Sequence, residues 1–303
     1  MGAWTYYPLR TIEIYHRNLR TPLLLFPVLF SLLFVCVDTV FIPLELRCLQ
    51  PFRTVLVRLG GNFDGGYAVP VRALQGVTSC VSIGLGRNWN FERCLKDRFG
   101  VKQIVVYDGS VGLLTFASDI LAALRDFVFR RRKFEHFLKN FTFCCQYLNF
   151  FRGTIVHEKK MIVETLVDDS QLSINTILNQ IHEPEKTIVK IDIEGDEYGL
   201  SRQLLDSAKF RRSRIVIMEW HETEKQRVKF LEFVRNMAES HYLVHLHENN
   251  FSPLADDSLP VTLELVWQCK SIEVLNERVE KLPITGVDSP NNRSKPTQNF
   301  RFL

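Results

Sequence analysis

The sequence has little net charge, no internal repeat and only one long hydrophobic run. Its 303 residues carry 38 Lys and Arg against 34 Asp and Glu, a formal net charge of +4. This small excess gives no argument for a nucleic-acid partner, because such proteins usually present a strongly basic face. The mean hydropathy of −0.03 excludes a protein that crosses a membrane many times. The length fits one domain of ordinary size with extensions.

Cysteine is scarce and shows no metal-binding pattern. Seven cysteines are present, and Cys36 lies within the hydrophobic run. The other six are Cys48, Cys80, Cys94, Cys144, Cys145 and Cys269. Their spacing matches no zinc site. One or two disulfides are expected if the domain faces an oxidising compartment, and ordinary core thiols if it faces the cytosol.

The hydrophobic run lies near the N-terminus. From Pro22 to Val37 the sequence has no charged residue, and a mostly apolar stretch continues to Leu44. The whole stretch approaches the roughly 20 residues that a bilayer-spanning helix needs. We predict a transmembrane signal anchor over residues 22–44, preceded by a short cytoplasmic segment over 1–21. A cleaved signal peptide and a buried helix of the domain are the alternatives.

The anchor prediction sets the expected location and limits of the domain. Residues 45–282 would form the folded domain of a single-pass membrane protein, in the Golgi or ER lumen or outside the cell. Three glycosylation triplets fit this location, at Asn140, Asn250 and Asn292, although such triplets also arise by chance. From 283 to 303 the sequence is polar and rich in Pro and Asn, so we predict a disordered tail.

A strand, a glycine turn, a helix and a second strand follow one another after residue 77. The first strand runs into Gly84-Leu85-Gly86, and the second ends at Asp108. Glycines at such a turn let a nucleotide cofactor approach the backbone, and an acid about 20 residues later accepts hydrogen bonds from ribose hydroxyls. Asp64, in an earlier Asp-Gly-Gly turn, either lines the same cofactor site or belongs to a plain tight turn.

The most informative segment is TIVKIDIEGDEYGL, residues 187–200. A β-branched apolar run predicts a buried parallel strand, and Gly195 marks its exit. Four acids surround this glycine: Asp192, Glu194, Asp196 and Glu197. Ligands of open α/β sheets bind at the carboxyl ends of the strands, and buried carboxylates there need a partner. We therefore interpret the cluster as functional rather than as a solvated turn.

The remaining pattern predicts the fold class. Alternating strands and helices indicate a doubly wound, mostly parallel α/β sheet. Two strands near 242–247 and 261–268 alternate with period 2 and predict a C-terminal antiparallel hairpin. This combination is typical of the Rossmann-like class I methyltransferases. The region 113–151 is helical in pattern, basic and aromatic. It predicts a solvated face beside a core face, or a surface for an acidic glycan or a membrane.

Several segments together resemble one family. The strand end IVKIDIEGDEYGL resembles the hallmark of FkbM-domain methyltransferases, in which Lys-Ile-Asp is followed by a hydrophobic residue, Glu and Gly. RLGGNFDGGYAVP, VSIGLGRNWNFE, VVYDGS, IVIMEWH and HLHENNF agree with it in order. They are similar to a branch with a methyltransferase-like domain behind an N-terminal hydrophobic segment. The resemblance covers about 53–268, and the short glycine loop and the 113–151 insert depart from it.

The resemblance implies methyl transfer from S-adenosyl-L-methionine, usually to a hydroxyl oxygen of a glycan or small metabolite. By position, Gly84 and Gly86 would contact the methionine part of the cofactor, and Asp108 its ribose. Deprotonating a hydroxyl needs a base. Asp192 and Glu194 are the first candidates for this base.

His221 is a third candidate for the base. It would share a strand face with Glu219, and a structural role is its alternative.

Other interpretations compete with these. A nicotinamide-dependent oxidoreductase would have a fuller glycine motif and no terminal hairpin, so the sequence argues against it. A non-catalytic protein of the same fold that binds a partner stays open. His245, His247 and Glu248 suggest a metal, but packing or substrate contact is favoured for histidines in a terminal hairpin. We therefore predict no metal site.

Overall fold

Strands and helices alternate along most of the chain. The structure, a computed structural model, describes residues 39–256 and 259–303. The strands are β1 Thr39–Ile42, β2 Leu56–Leu59, β3 Tyr67–Pro70, β4 Ser79–Ile83, β5 Gln103–Tyr107, β6 Ile155–Glu158, β7 Met161–Val163, β8 Gln171–Ser173, β9 Thr187–Ile191, β10 Ile215–Trp220, β11 His241–Glu248, β12 Leu263–Cys269, β13 Lys281–Leu282 and β14 Asn299–Phe302. The helices are α1 Val71–Leu74, α2 Asn90–Phe99, α3 Leu113–Val128, α4 Phe134–Phe150, α5 Ile174–Asn179, α6 Glu197–Asp206 and α7 Arg227–Met237. Short 3-10 turns lie at Leu44–Leu49, Pro184–Lys186 and Phe210–Arg212.

Seven strands form the central sheet, in the order β6-β5-β4-β9-β10-β12-β11. The first five are parallel, and β12 runs antiparallel between β10 and β11. The chain builds outward from β4 in one direction and from β9 in the other, so the sheet has its switch point between these two strands. The predicted fold class is confirmed as an architecture: the sheet is Rossmann-like, doubly wound and mostly parallel, and it has a C-terminal antiparallel hairpin.

Both faces of this sheet are covered, which explains its continuous apolar strands. On β10, Val216 and Met218 belong to one buried cluster, whereas Ile215 and Ile217 belong to the other. All four side chains are fully buried. Such strands carry no regular alternation of polar and apolar residues.

The helical prediction for residues 113–151 is confirmed by α3 and α4, which pack on each other. Phe116 and Tyr147 meet edge to face between them, with ring centroids 4.8 Å apart. The turn that joins the two helices is basic and exposed from Arg130 to Lys133. Phe129 beside it is also exposed. The region thus has both the core face and the solvated face that the sequence predicts.

The predicted membrane anchor falls mostly on residues that the structure does not describe. Its last six residues are described, and they differ from the expectation: Thr39–Ile42 is a strand, and a 3-10 turn begins at Leu44. The β-branched and aromatic residues of this strand pair with 299–302 instead of continuing a helix. Among the described residues, no helix has the length and apolar character to cross a bilayer.

The polar segment after residue 282 is ordered, so the expectation of a disordered tail is corrected. β14 pairs in parallel with β1 and antiparallel with β13. The side chains of Phe300 and Phe302, which belong to β14, are buried in the hydrophobic core. Asn291 is buried beside the main sheet. The low average hydrophobicity of the tail did not reveal the alternating polar and apolar residues of Asn299–Phe302. It also did not reveal that several polar side chains of the tail form hydrogen bonds with buried partners.

The six cysteines of the described residues are all free thiols. Cys80 and Cys269 are buried, whereas Cys145 is exposed on α4. Burial raises the pKa of the Cys80 thiol well above its ordinary value. The disulfides expected for an oxidising compartment are therefore not formed among these residues, and Cys80 behaves as a core side chain.

Candidate active site

The carboxyl ends of β4, β5, β9 and β10 surround a cavity of about 720 Å³. This volume lies within the range of about 300–1,000 Å³ that is usual for small-molecule sites. Every residue that the sequence predicts for cofactor binding or catalysis lines the cavity: Asp64, Gly84, Gly86, Asp108, Asp192, Glu194 and His221. The fold therefore brings together residues that are far apart in the chain.

Gly84 lies where β4 passes closest to the end of β9. Its N–H donates to the carbonyl of Tyr107, at 2.9 Å, and its φ is +85°. A β-carbon here would lie 1.6 Å from the carbonyl oxygen of Asp192. Gly86 also has a positive φ, of +55°, but a β-carbon there meets no atom within 4 Å. The first glycine is thus required by close packing, and the second leaves open space beside the cavity.

This contrast predicts different outcomes for two alanine variants. Gly84→Ala is expected to lower the free energy of unfolding by about 2–3 kcal/mol, because it adds a backbone clash to an unfavourable φ. Gly86→Ala is its matched control and should cost only the left-handed penalty of about 1–2 kcal/mol. Urea denaturation of both variants measures the difference. Equal losses would show that the ends of β4 and β9 do not approach as described.

Asp108 organises the glycine loop. One carboxylate oxygen, Oδ2, accepts the N–H groups of Leu85 and Gly86, each at 2.8 Å. The other, Oδ1, accepts the N–H and the hydroxyl of Ser110, at 2.7 and 2.5 Å. Burial alone would raise the pKa of Asp108, but these hydrogen bonds outweigh it and lower the pKa. A carboxylate has about four lone-pair sites, so a ribose hydroxyl would have to share or replace the bonds from Ser110.

Asp192 follows β9 directly and has polar neighbours on one side only. Its Oδ2 accepts a hydrogen bond from the Tyr67 hydroxyl at 3.3 Å and lies 3.8 Å from Nζ of Lys190. Lys190 is buried, and its ammonium also donates to the carbonyl of Gly84 at 2.9 Å. No described residue donates a hydrogen bond to Oδ1. That oxygen is therefore left for water or a ligand.

Lys190 keeps its charge although it is buried. Burial alone would lower its pKa, but the carboxylates of Asp192, Glu92 and Glu219 reverse the effect and raise it. Glu92 is itself buried and accepts the hydroxyl of Ser82 at 2.7 Å. The floor of the cavity is thus one internal cation surrounded by several acids.

His221 is held by Glu197, the first residue of α6. Its carboxylate lies in the first turn of that helix. Its Oε1 is 3.0 Å from Nδ1 of His221 and also accepts the N–H groups of Ile193 and Gly195. Burial alone would lower the pKa of His221, but its hydrogen bond to the Glu197 carboxylate and the negative charges of nearby acids raise it. Nε2 consequently faces the cavity.

Two further acids approach this nitrogen. Nε2 of His221 lies 3.4 Å from Oε2 of Glu194 and 3.8 Å from Oε1 of Glu219. The Glu194 side chain is 86% exposed, whereas that of Glu219 is 5% exposed. Burial, followed by the charges of Asp192 and Glu264, raises the pKa of Glu219 well above its ordinary value. Asn249 donates to Glu219 at 2.7 Å and fixes its orientation.

Asp64 connects the cavity to the C-terminal segment. Its Oδ1 accepts a hydrogen bond from Asn291 at 3.1 Å, and the same amide nitrogen donates to Glu264 at 2.7 Å. The backbone carbonyl of Asp64 accepts from Asn88 at 3.0 Å. Asp64 therefore lines the cavity, and its backbone ties this turn to Asn88.

The histidines of the terminal hairpin face away from the cavity, toward the C-terminal segment. Nε2 of His245 lies 2.8 Å from Oδ1 of Asp288, and Nδ1 of His247 lies 3.2 Å from the same oxygen. Nε2 of His247 pairs with Asn291 at 2.9 Å. Glu248 accepts the N–H of Gln298 at 2.8 Å. These contacts fit the packing interpretation of the three residues.

Four contributors to the site escaped the sequence analysis: Tyr67, Lys190, Glu197 as a partner of His221, and Asn249. Lys190 had a signal, because a charged residue inside an otherwise apolar strand needs an internal partner. Tyr67 and Asn249 had none, since they reach the cavity from a short edge strand and a loop whose placement depends on the tertiary fold.

Comparisons with known proteins give likenesses of structure only. Sp1610 of Streptococcus pneumoniae, a proposed tRNA (m1A22) methyltransferase, is similar over 66% of this chain and 68% of its own, at 9% identity and a TM-score of 0.32. Its complex with S-adenosyl-L-methionine is similar over 66% and 70%, at 11% identity and a TM-score of 0.31. A proposed methyltransferase of Thermoplasma acidophilum is similar over 64% and 68%, at 11% and 0.30. No family profile and no curated protein matches the chain. The resemblance to FkbM-domain proteins therefore remains one of sequence motifs.

Proposed function

We propose that this protein is a methyltransferase that uses S-adenosyl-L-methionine and methylates a hydroxyl group of a glycan or small metabolite. One observation carries the proposal: the glycine loop with its acid and the cluster around His221 line a single cavity. That cavity lies at the switch point of the sheet, where ligands of doubly wound folds bind. Cofactor and acceptor would therefore meet within it.

The residues present fit this cofactor. The backbone at Gly86 leaves open space that a larger side chain would fill. Asp108 holds the N–H groups of the loop in place, and Tyr107 and Met161 supply apolar walls beside it. When bound, S-adenosyl-L-methionine supplies a methyl group on a positively charged sulfur. The acids that line the cavity favour a cationic ligand by simple charge complementarity.

The chain must orient the acceptor and remove its proton. In the proposed reaction, the acceptor oxygen would take the methyl group as the carbon–sulfur bond breaks, and S-adenosylhomocysteine would leave. Nε2 of His221 is the cavity-facing group with a fixed orientation, since Glu197 holds the opposite ring nitrogen. Asp192 shares one oxygen with Tyr67 and Lys190. Alignment of the acceptor with the methyl group and removal of the proton from its hydroxyl would together provide the rate enhancement.

The membrane anchor belongs to the same proposal. It rests on the apolar run from Pro22 to Val37, which lies outside the described residues. An anchored enzyme with its domain in the Golgi or ER lumen, or outside the cell, would meet glycans and secreted metabolites as acceptors.

Ligand titration of the full chain tests the proposed function. S-adenosyl-L-methionine and S-adenosylhomocysteine are expected to bind, and NADH is not. Asp108→Ala should weaken binding of both S-adenosyl compounds at least tenfold, because it frees the loop N–H groups that Oδ2 holds. Ser110→Ala is the matched control: it removes a donor to Oδ1 only, so affinity should be kept or improved.

Each other outcome of this titration has a definite meaning. Binding of NADH in place of the S-adenosyl compounds would support an oxidoreductase. A folded protein that binds none of the three would support a non-catalytic role. Loss of affinity in Ser110→Ala equal to that in Asp108→Ala would refute the loop-organising role of the carboxylate.

A further inference from the structure

Three ligand-bearing side chains converge in the cavity from two neighbouring strand ends. Asp192 follows β9, and Glu219 and His221 lie at the end of β10. One ligand atom from each lies within 4.8 Å of the other two. Ligand atoms around a divalent cation lie about 2.0–2.2 Å from it, so neighbouring ligands are about 3 Å apart. Small side-chain rotations would bring these three atoms to that spacing.

We propose that Asp192, Glu219 and His221 bind a divalent first-row cation such as Mn²⁺. Two carboxylates and one imidazole form a mixed oxygen and nitrogen donor set, which suits such a cation better than Ca²⁺ or a thiolate-bound metal. Three protein ligands on one side leave the remaining coordination positions open to the cavity. An acceptor oxygen can occupy one of them.

The surroundings of His221 match those of a metal-binding histidine. Such a ligand usually gives its second ring N–H to a carboxylate, which fixes the tautomer and the ring orientation. Glu197 is fully buried and occupies this position at 3.0 Å from Nδ1. Nε2 is thereby left with its lone pair toward Glu219. The same lone pair cannot both take a proton and bind a cation, so the metal would replace His221 as the group that activates the acceptor.

The two carboxylates are also arranged for a cation. The protein donors of Asp192, Tyr67 and Lys190, both contact Oδ2, so Oδ1 is available. Glu219 is buried and oriented by Asn249. One oxygen of Glu219 lies within 4.8 Å of one oxygen of Asp192, and a shared cation would relieve the repulsion between the two carboxylates. Lys190 neutralises the negative charge of these carboxylates only in part, because its ammonium also donates a hydrogen bond to the carbonyl of Gly84.

The site needs only these three side chains, whereas its catalytic role rests on the proposed function. In that role, the cation binds the acceptor oxygen and lowers the pKa of its hydroxyl, so that the proton is released to water before methyl transfer. The oxygen then forms its bond to the methyl carbon, and the carbon–sulfur bond breaks with its electron pair left on sulfur. No oxidant or reductant is involved.

Mn²⁺ titration of the chelator-treated full chain tests the site, with the free-ion signal followed by electron paramagnetic resonance. The wild-type protein should bind one Mn²⁺, and Zn²⁺ should displace it. Asp192→Asn, Glu219→Gln and His221→Ala should each weaken binding at least tenfold. Asp196→Asn is the matched control, since it removes a charge from the same cavity outside the three-residue group. It should leave the affinity within about threefold.

A parallel titration with S-adenosyl-L-methionine separates the two proposals and confirms that each variant is folded. Cofactor binding without Mn²⁺ binding would overturn the metal inference and leave the methyltransferase proposal intact. Mn²⁺ binding without cofactor binding would do the reverse. Equal weakening in Asp196→Asn and Asp192→Asn would show a general attraction of cations to an acidic cavity, and the specific site would be rejected.

Discussion

Replacing Asp288 by Asn is expected to lower the free energy of unfolding by about 3–5 kcal/mol, because the change removes the charge of a buried carboxylate that contacts two buried histidines. The side chain is 3% exposed, and its Oδ1 contacts both His245 and His247. Burial alone would raise the pKa of Asp288, but the two histidines hold it well below its usual range. Its Oδ2 accepts the N–H of Ile284 at 2.5 Å, which an amide NH₂ could not do.

The dependence on pH has a definite sign. Because the pKa of Asp288 is lower in the folded state, its carboxylate stabilises the fold fully at pH values above its unfolded-state pKa of about 3.9. This stabilisation is lost as pH falls toward the folded-state pKa. Burial alone would lower the pKa of His247, but the bond to Asp288 raises it. The stabilisation that His247 provides is therefore full at pH values below its unfolded-state pKa of about 6.5, and it is lost as pH rises through its folded-state pKa. The loss caused by Asp288→Asn should be larger at pH 6 than at pH 8.

Urea denaturation at the two pH values measures both effects. Asp206→Asn is the matched control, because Asp206 is 74% exposed and forms only a surface pair with Arg202 at 3.8 Å. Such pairs contribute about 0–1 kcal/mol, so this variant should be nearly unchanged. If Asp288→Asn behaved like the control, the charge of this buried carboxylate would not stabilise the fold.

Replacing His221 by Gln is expected to reduce methyl transfer by about 10²–10⁴-fold, because the proposed function assigns the activation of the acceptor hydroxyl to this side chain, which Glu197 orients. The effect should be seen as slower release of S-adenosylhomocysteine with a mixture of glycans and hydroxylated metabolites as acceptors. His182→Gln controls for the loss of a histidine, because His182 is exposed and does not line the cavity. An unchanged rate in His221→Gln would remove this residue from the mechanism.

Glu197→Gln separates the charge of the partner from its hydrogen bond. Oε1 accepts the three N–H groups and would remain a carbonyl oxygen, while Oε2 has no partner among the described residues and would become the amide nitrogen. Because the bond from Glu197 and its charge raise the pKa of His221, the variant should lower that pKa. The acid limb of the rate should then move to lower pH, and an NMR titration of the His221 ring should follow it.

The sequence was sufficient where one physical rule dominated a segment. The run from Ile188 to Ile191 is apolar apart from one lysine, and it lies in a central strand. The interval from Gly86 to Asp108 placed the acid beside the loop that it now holds. Both inferences needed only the spacing of residues along one strand–helix–strand unit. The assigned roles of Asp64, Asp192, Glu194 and His221 in chemistry stay predictions.

The sequence was insufficient where partners come from distant segments. The expectation of a disordered tail was based on its polar composition, yet Asn291 bonds to Glu264 and Asp288 to two histidines. Buried polar pairs of this kind leave no periodic signal, because each half reads as an ordinary surface residue.

The pairing of β1 with β14 also bears on how the protein is made. Thr39 pairs with Asn299, so this strand needs a partner from far along the chain. A chain that emerges N-terminus first exposes β1 without its neighbour until residues 299–302 have been made, and contacts of such long sequence separation form slowly. Asn291, which holds Asp64 at the cavity, also follows all seven strands of the central sheet in the chain. This part of the cavity rim is therefore completed after those strands have been made, and a nascent chain would carry its central sheet before it could hold a ligand firmly.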